Sequence, residues 1–218
     1  MSLDHSITWK RPETISPLRQ DPPGAVKSMP SPTKIHHVHI YSDTNYDAMI
    51  RFYQDLFNAE IVNATREGER RVTFLAYDDH DHRLVIIRQP GWGTKPQKPV
   101  GMSHIAFGYA SLGELLYVYK RMRALGYPPP PRSLNHGNST SLYWKDPDRN
   151  DVETLVDNFT PQECQDYKRH YQFTDEFGAM NEGNFDIDKM VALYESGMPD
   201  AILMDREQVR AMHRDGKL

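Results

Sequence analysis

Residue types that bind metals and move protons recur at short intervals within Leu134–Glu153 (LNHGNSTSLYWKDPDRNDVE), which holds His136, Tyr143 and Glu153. An Asp-Pro turn (Asp146, Pro147) separates two strand-like stretches. Tyr143 and Glu153 are therefore expected on neighbouring strands, with His136 on the approach. A carboxylate fixed on a strand suits a divalent cation, and an imidazole suits proton handling near neutral pH. Glu153 is read as a metal ligand completed by two histidines far upstream.

An internal repeat supplies those histidines. IHHVHIY (Ile35–Tyr41) alternates like a strand. Asp43, Thr44 and Asn45 then offer N-cap oxygens to a helix with apolar residues Met49, Ile50, Phe52, Tyr53, Leu56 and Phe57 on one face. Strands are expected over Glu60–Thr65, Arg71–Tyr77 and His82–Arg88. After a Gly/Pro/Lys loop the order restarts at Met102 with SHIAFGY. Ser111 and Glu114 form a capping box, and a stripe through Leu112, Leu115, Leu116, Tyr119, Met122 and Leu125 closes at Gly126. Further strands are expected near Ser133, over Ser139–Lys145 and over Asp151–Val156. The chain thus reads β-α-β-β-β twice, each sheet packing a helix on one face and leaving the other to line a cavity.

His37 and His104 open the two first strands, 67 residues apart. The same step back from Glu153 reaches Ile86, within Leu84–Ile87 on the first unit's last strand. Two histidines and one carboxylate, with an apolar residue at the fourth equivalent position, form a 2-His-1-carboxylate set that suits Fe(II) activating O2. A Glu or Gln at position 85 or 86 would instead indicate a more saturated Lewis-acid site. Strand alternation puts His37 and His39 on one face and His36 on the other.

At 218 residues the chain has room for one domain with extensions, and its net charge of −4 gives no reason to expect nucleic acid or an anionic membrane. The single cysteine, Cys164, excludes an internal disulfide and fits a reducing compartment. No run is long enough to span a bilayer and the N-terminus lacks an apolar signal core, so a cytoplasmic location is expected. Residues 1–33 are rich in proline and polar groups and read as an arm. Residues 159–218 read as a helical extension, with helices over Pro161–Tyr171 and Asp186–Ser196 and a charged, peripheral last twenty residues. This tail is expected to cover the core or a subunit contact.

Residues 34–158 resemble a paired module of the vicinal oxygen chelate superfamily, which includes glyoxalase I and the type I extradiol catechol dioxygenases. HGNSTSLYWKDPDRNDVE resembles the extradiol signature of a histidine, an aliphatic-Tyr pair, an Asp-Pro turn and a closing glutamate. IHHVHI and SHIAF resemble the two histidine-bearing first strands, HDHRLVII a strand opening on an active-site histidine, and FDIDKMVALYESGMP a tail of single-pair members. The resemblance implies His37, His104 and Glu153 as ligands of Fe(II), or of Mn(II), with O2 as co-substrate. Within the resemblance, the ligand's place directly before the strand's Val selects His37 over its neighbours. It also implies His82, with His80 as its competitor, as the acid/base, and His136 and Tyr143 as hydrogen-bonding partners of a catechol-type substrate. Arg149 stands where the family's turn carries Gly or Pro, so the turn must close another way, for instance with Asn150 left-handed. Leu134 also departs from the family pattern, at the rim of the expected pocket.

The expected fold is α+β: paired βαβββ modules (about 34–89 and 102–158) forming one incomplete barrel around a metal site. The expected activity is extradiol ring cleavage by a homo-oligomer acting on a small aromatic diol, with neither nucleic acid nor membrane as partner. Trp92, Tyr109 and Trp144 are candidates for an aromatic pocket wall and equally for ordinary packing. Rival readings are an O2-independent metal-dependent lyase or isomerase on the same fold, and a non-enzymatic small-molecule-binding member.

Overall fold

The computed structural model describes residues 32–93, 95–96, 100–170 and 183–218. The first unit runs β1 (Val38–Ser42), α1 (Tyr46–Phe57), β2 (Glu60–Glu67), β3 (Arg70–Ala76) and β4 (Leu84–Arg88). The second repeats the plan with β5 (His104–Tyr109), α2 (Leu112–Ala124), β6 (Arg132–Asn135), β7 (Ser139–Lys145) and β8 (Asp151–Asp157). Each unit forms one four-stranded mixed sheet, in the orders β1-β4-β3-β2 and β5-β8-β7-β6. The first strand of each unit pairs parallel with its last, and the remaining pairs are antiparallel. The two sheets do not join into a closed barrel, so the expected α+β architecture of paired modules holds.

Amphipathic spacing explains both helices. Met49, Phe52, Tyr53 and Leu56, at helical intervals on α1, are all essentially inaccessible. They join Leu115, Leu116, Tyr119 and Met122 of α2 in one core with Leu84 and Ile86 of the first sheet and Leu142 and Val152 of the second. Burying each such side chain contributes about 1.5–3 kcal/mol. Ser111 caps α2 by accepting from the Glu114 N–H at 3.2 Å, while the Glu114 carboxylate accepts from the Ala110 N–H. Gly126, left-handed at φ 89°, ends that helix, and the Tyr127 N–H bonds the Met122 carbonyl at 3.1 Å. The cap expected at α1 does not form as a side-chain bond. Asn45 instead donates across the molecule to the Pro147 carbonyl (3.1 Å) and Asp148 Oδ1 (2.8 Å). A tertiary contact has taken the side chain that local geometry offered to the helix.

The tail adds α3 (Pro161–His170), α4 (Ile187–Glu195), α5 (Asp200–Leu203) and α6 (Arg206–Arg214). Its last twenty residues are not peripheral. Leu203, Val209, Met212 and Leu218 are buried in the main core, because α6 keeps an apolar stripe beneath its charged face. Residues 1–31 of the expected arm, and the Tyr171 end of the third expected helix, lie outside the described residues. Among the described residues, no helix is long and apolar enough to cross a membrane.

Candidate metal centre

Sheet register sets the face on which the chemistry gathers. Tyr143 lies opposite Glu153, and Glu153 opposite Ala106, two residues beyond His104. Successive side chains alternate, so His104, Tyr143 and Glu153 share the face turned away from the α2 core, where Val152, Leu142 and Trp144 point. In the first sheet the corresponding residue, two beyond His37, is His39, and it lies opposite Val85. The counterpart of Glu153 is therefore Val85 and not Ile86, because the second unit is one residue longer between its first and last strands. Ile86 faces the helix core, while Val85 packs with Val72, Ile87 and Phe74 on the other side. The fourth position remains apolar.

Four of the sequence-predicted residues form a continuous run of contacts. His136 Nε2 lies 2.8 Å from the Tyr143 hydroxyl, and that phenol also hydrogen-bonds the Glu153 carboxylate. Glu153 Oε2 lies 2.9 Å from His104 Nε2. Only 5% of Glu153 is exposed, so its charge needs a partner. Burial, followed by the Glu153 charge and the bond to it, pushes the Tyr143 phenol far above its usual range, which keeps it a hydrogen-bond donor. Arg132, opposite Tyr143 on β6, sets its guanidinium 4.1 Å from the ring centre.

His136 sits on the β6–β7 loop and is held from behind. Its N–H bonds the Ser139 carbonyl at 2.8 Å, and its carbonyl accepts from Tyr167 and Arg206 of the tail, each at 3.4 Å. Asn135 Oδ1 accepts from the Gly137 N–H at 2.8 Å and from Asn158 Nδ2 at 3.1 Å. Gly137 is left-handed at φ 93°, and a Cβ there would lie 2.5 Å from the Tyr167 hydroxyl. Leu134 shares this side of the sheet and is fully buried.

The turn between Tyr143 and Glu153 closes through Asp146. Its N–H bonds the Asn150 carbonyl (3.1 Å), its carbonyl accepts from the Arg149 N–H (2.9 Å), and its side chain accepts from Asn150 N, Asn150 Nδ2 and Tyr53 Oη. The left-handed residue is Arg149 itself, at φ 65°, and not Asn150. Asn150 is committed to Asp146 through both backbone and side chain, so the strained conformation falls one residue earlier. Tyr53 and Asn45, both from the first unit, bind this turn and set one unit against the other.

His37 stands apart from the run. Its ring packs against His36, His39 and His82, with centroids 4.7 Å from the last two. Among the described residues, two groups bring three donor atoms within 4.8 Å of one another: His36 with His37 and His82, and His36 with His80 and Asp81. The predicted trio His37, His104 and Glu153 is not one of them. His82 Nδ1 lies 2.6 Å from Asp81 Oδ2, and that bond holds the Asp81 carboxyl below the usual carboxylate range. An ionised carboxylate accepts only, so Nδ1 of His82 is the donor in this contact. The edge strands β1 and β5 line a common cleft of about 210 Å³ that includes His39 and His104.

The pair His104 and Glu153 suits a first-row divalent ion. Two ligand atoms about 2.1 Å from such an ion and at right angles are about 3 Å apart, the separation of His104 Nε2 and Glu153 Oε2. The other His104 nitrogen already meets the Ser103 hydroxyl at 3.2 Å, the outer contact that fixes a ligating imidazole. Asp81 and Arg132 were missed in the sequence. Asp81 was legible as the middle of a His-Asp-His run; Arg132 depended on the β6–β7 register. Of the three aromatic wall candidates, Trp144 is buried and donates to Thr154 Oγ1, and Tyr109 donates to the Leu56 carbonyl, so both are packing residues. Trp92 is 55% exposed and stacks on Tyr41.

Residues 34–154 match the model of the Glyoxalase/Bleomycin resistance protein/Dioxygenase superfamily. Biphenyl-2,3-diol 1,2-dioxygenase 3 of Rhodococcus globerulus is 34% identical over 187 residues, covering 81% of this chain and 94% of that protein. Biphenyl-2,3-diol 1,2-dioxygenase 2 of the same organism is 34% identical over 142 residues, covering 64% of this chain and 71% of its own length. Among solved structures, a glyoxylase/bleomycin resistance protein/dioxygenase domain from Frankia sp. EAN1pec matches with a TM-score of 0.50 at 18% identity, over 58% of this chain and 93% of that one.

Proposed function

Because the chain belongs to the Glyoxalase/Bleomycin resistance protein/Dioxygenase superfamily, we propose that it is a non-haem Fe(II)-dependent extradiol dioxygenase that cleaves a catechol-type aromatic diol with O2. The observation that carries this reading is the run of contacts from His136 through Tyr143 and Glu153 to His104, with apolar Val85 at the register position in the first sheet that Glu153 holds in the second. Two relatives that act on biphenyl-2,3-diol support the aromatic diol as substrate class.

Fe(II), or Mn(II), held by His37, His104 and Glu153 would supply the chemistry that joins a chelated diol to O2. The protein's own residues do the rest. Loss of protons from the diol needs a base within reach, and His82, oriented by Asp81 through Nδ1, offers Nε2 for that task and can return the proton later. Tyr143, kept protonated by burial and by Glu153, gives its one proton to that carboxylate here and would turn it to developing negative charge on the substrate once Glu153 held an ion. His136 fixes the direction of that donor from behind. In the overall reaction the ring bond beside the hydroxyls breaks and both oxygen atoms enter the product. In this reading the protein is a cytoplasmic homo-oligomer without nucleic-acid or membrane partners, and its substrate pocket is completed by the arm, the tail or a neighbouring subunit.

The test is anaerobic loading with iron, followed by a panel of catechols and admission of O2. A yellow ring-cleavage product, absent in Glu153→Ala, is expected. Turnover without O2 would establish an isomerase or lyase instead, and failure to retain any metal would establish a binding protein.

A further inference from the structure

A second group of donors lies beside the proposed centre and touches it at two points, Asp81 on His82 and His36 Nδ1 at 2.8 Å from His37 Nδ1. We propose that His36, His80 and Asp81 form a separate site for a borderline divalent cation of the Zn2+ class. One ring nitrogen from each histidine and one carboxylate oxygen lie within 4.8 Å of one another. The two rings meet edge to face with centroids 4.3 Å apart, and His80 Nδ1 is 2.6 Å from Asp81 Oδ1. Two imidazoles and a carboxylate are a common zinc set that leaves one position for water.

The donors come from two segments that are already tied together. Arg83 donates to both oxygens of Asp78 and, through Nη1, to the His36 carbonyl at 3.1 Å. The Val38 N–H bonds the Arg83 carbonyl at 3.0 Å, and the His80 N–H bonds Asp78 Oδ1 at 3.1 Å. The β3–β4 loop is thus fastened to the entry of β1 before any ion arrives, so binding does not have to order it. The second Asp81 oxygen, Oδ2, meets His82 Nδ1 at 2.6 Å, which fixes the carboxylate as outer contacts fix metal ligands. The alternative group of His36, His37 and His82 draws on two residues, His37 and His82, that the proposed ring-cleavage centre already uses. His80 belongs only to the site proposed here and so separates the two.

The experiment is calorimetric titration of the metal-free full chain with Zn2+, in wild type, His80→Gln, His36→Ala and Glu153→Ala. Two binding events are expected in wild type. One should weaken by about tenfold or more in His80→Gln and His36→Ala, with the other lost in Glu153→Ala. A single event that survives Glu153→Ala and is lost in His80→Gln also supports this site, while removing the centre invoked for ring cleavage. Wild-type titration curves in both histidine variants, or no Zn2+ bound by Glu153→Ala, would overturn it.

Discussion

Val85 occupies in the first sheet the register position that Glu153 occupies in the second. One is an inaccessible aliphatic and the other a buried carboxylate, and in the proposed centre that difference would leave a position for substrate and O2. Val85→Glu should close it. A buried unpaired charge costs several kcal/mol, so the metal-free variant is expected to melt well below wild type and to recover with Mn2+. Ring-cleavage kcat should fall by about a hundredfold or more as the added ligand takes an open position. Wild-type O2-dependent turnover in this variant would contradict the assignment.

Tyr143→Phe removes the hydroxyl between His136 and Glu153 while keeping the ring under Arg132. A lost donor to developing charge costs about 10²–10³ in kcat, and KM should change far less. Steady-state kinetics on one catechol decides this. A change confined to KM would mean that Tyr143 only shapes the pocket.

Arg149 is left-handed at φ 65°, exposed, and placed where a side chain costs about 1–2 kcal/mol of backbone strain. Part of any gain from glycine is returned as unfolded-state entropy, so Arg149→Gly should stabilise the protein by about 0.5–1 kcal/mol. Urea denaturation measures it, with ring-cleavage activity expected to be unchanged. A loss of stability would show that the Arg149 side chain has a role in the fold.

The repeat, both helices and the chemistry-bearing stretch were legible because alternation, helical spacing and the Asp-Pro turn are local signals. What escaped was decided at a distance. Asn45 reads as a cap until the Pro147 turn claims its side chain. Asn150 reads as the left-handed residue until Asp146 claims both its N–H and its amide. Ile86 rather than Val85 follows from counting, because one extra residue in the second unit shifts the register by one and exchanges faces. The charged α6 hid its buried stripe for a simpler reason: two of its apolar residues, Val209 and Met212, are outnumbered by charged and polar neighbours. The six predicted site residues divide along the same line, with His104, His136, Tyr143 and Glu153 in one run and His37 and His82 packed against each other in the first unit.

Burial raises the Asp146 pKa, with hydrogen bonds from Asn150 and Tyr53 opposing it. A raised folded-state pKa contributes stability that is fully present below the unfolded value and is lost as pH rises through the folded one. Relative to Asp146→Asn, wild type should therefore lose stability as pH climbs above about 4. Denaturant midpoints of both proteins from pH 3.5 to pH 7 test the sign; a difference that is flat or grows in favour of wild type contradicts it.

The His136 carbonyl is held in part by Arg206, seventy residues further along the chain. A growing polypeptide that has already folded both sheets would still lack that support while the tail is being made. The backing of His136 is thus complete only once the tail has been made and packed, although His136 and Tyr143 themselves lie seven residues apart.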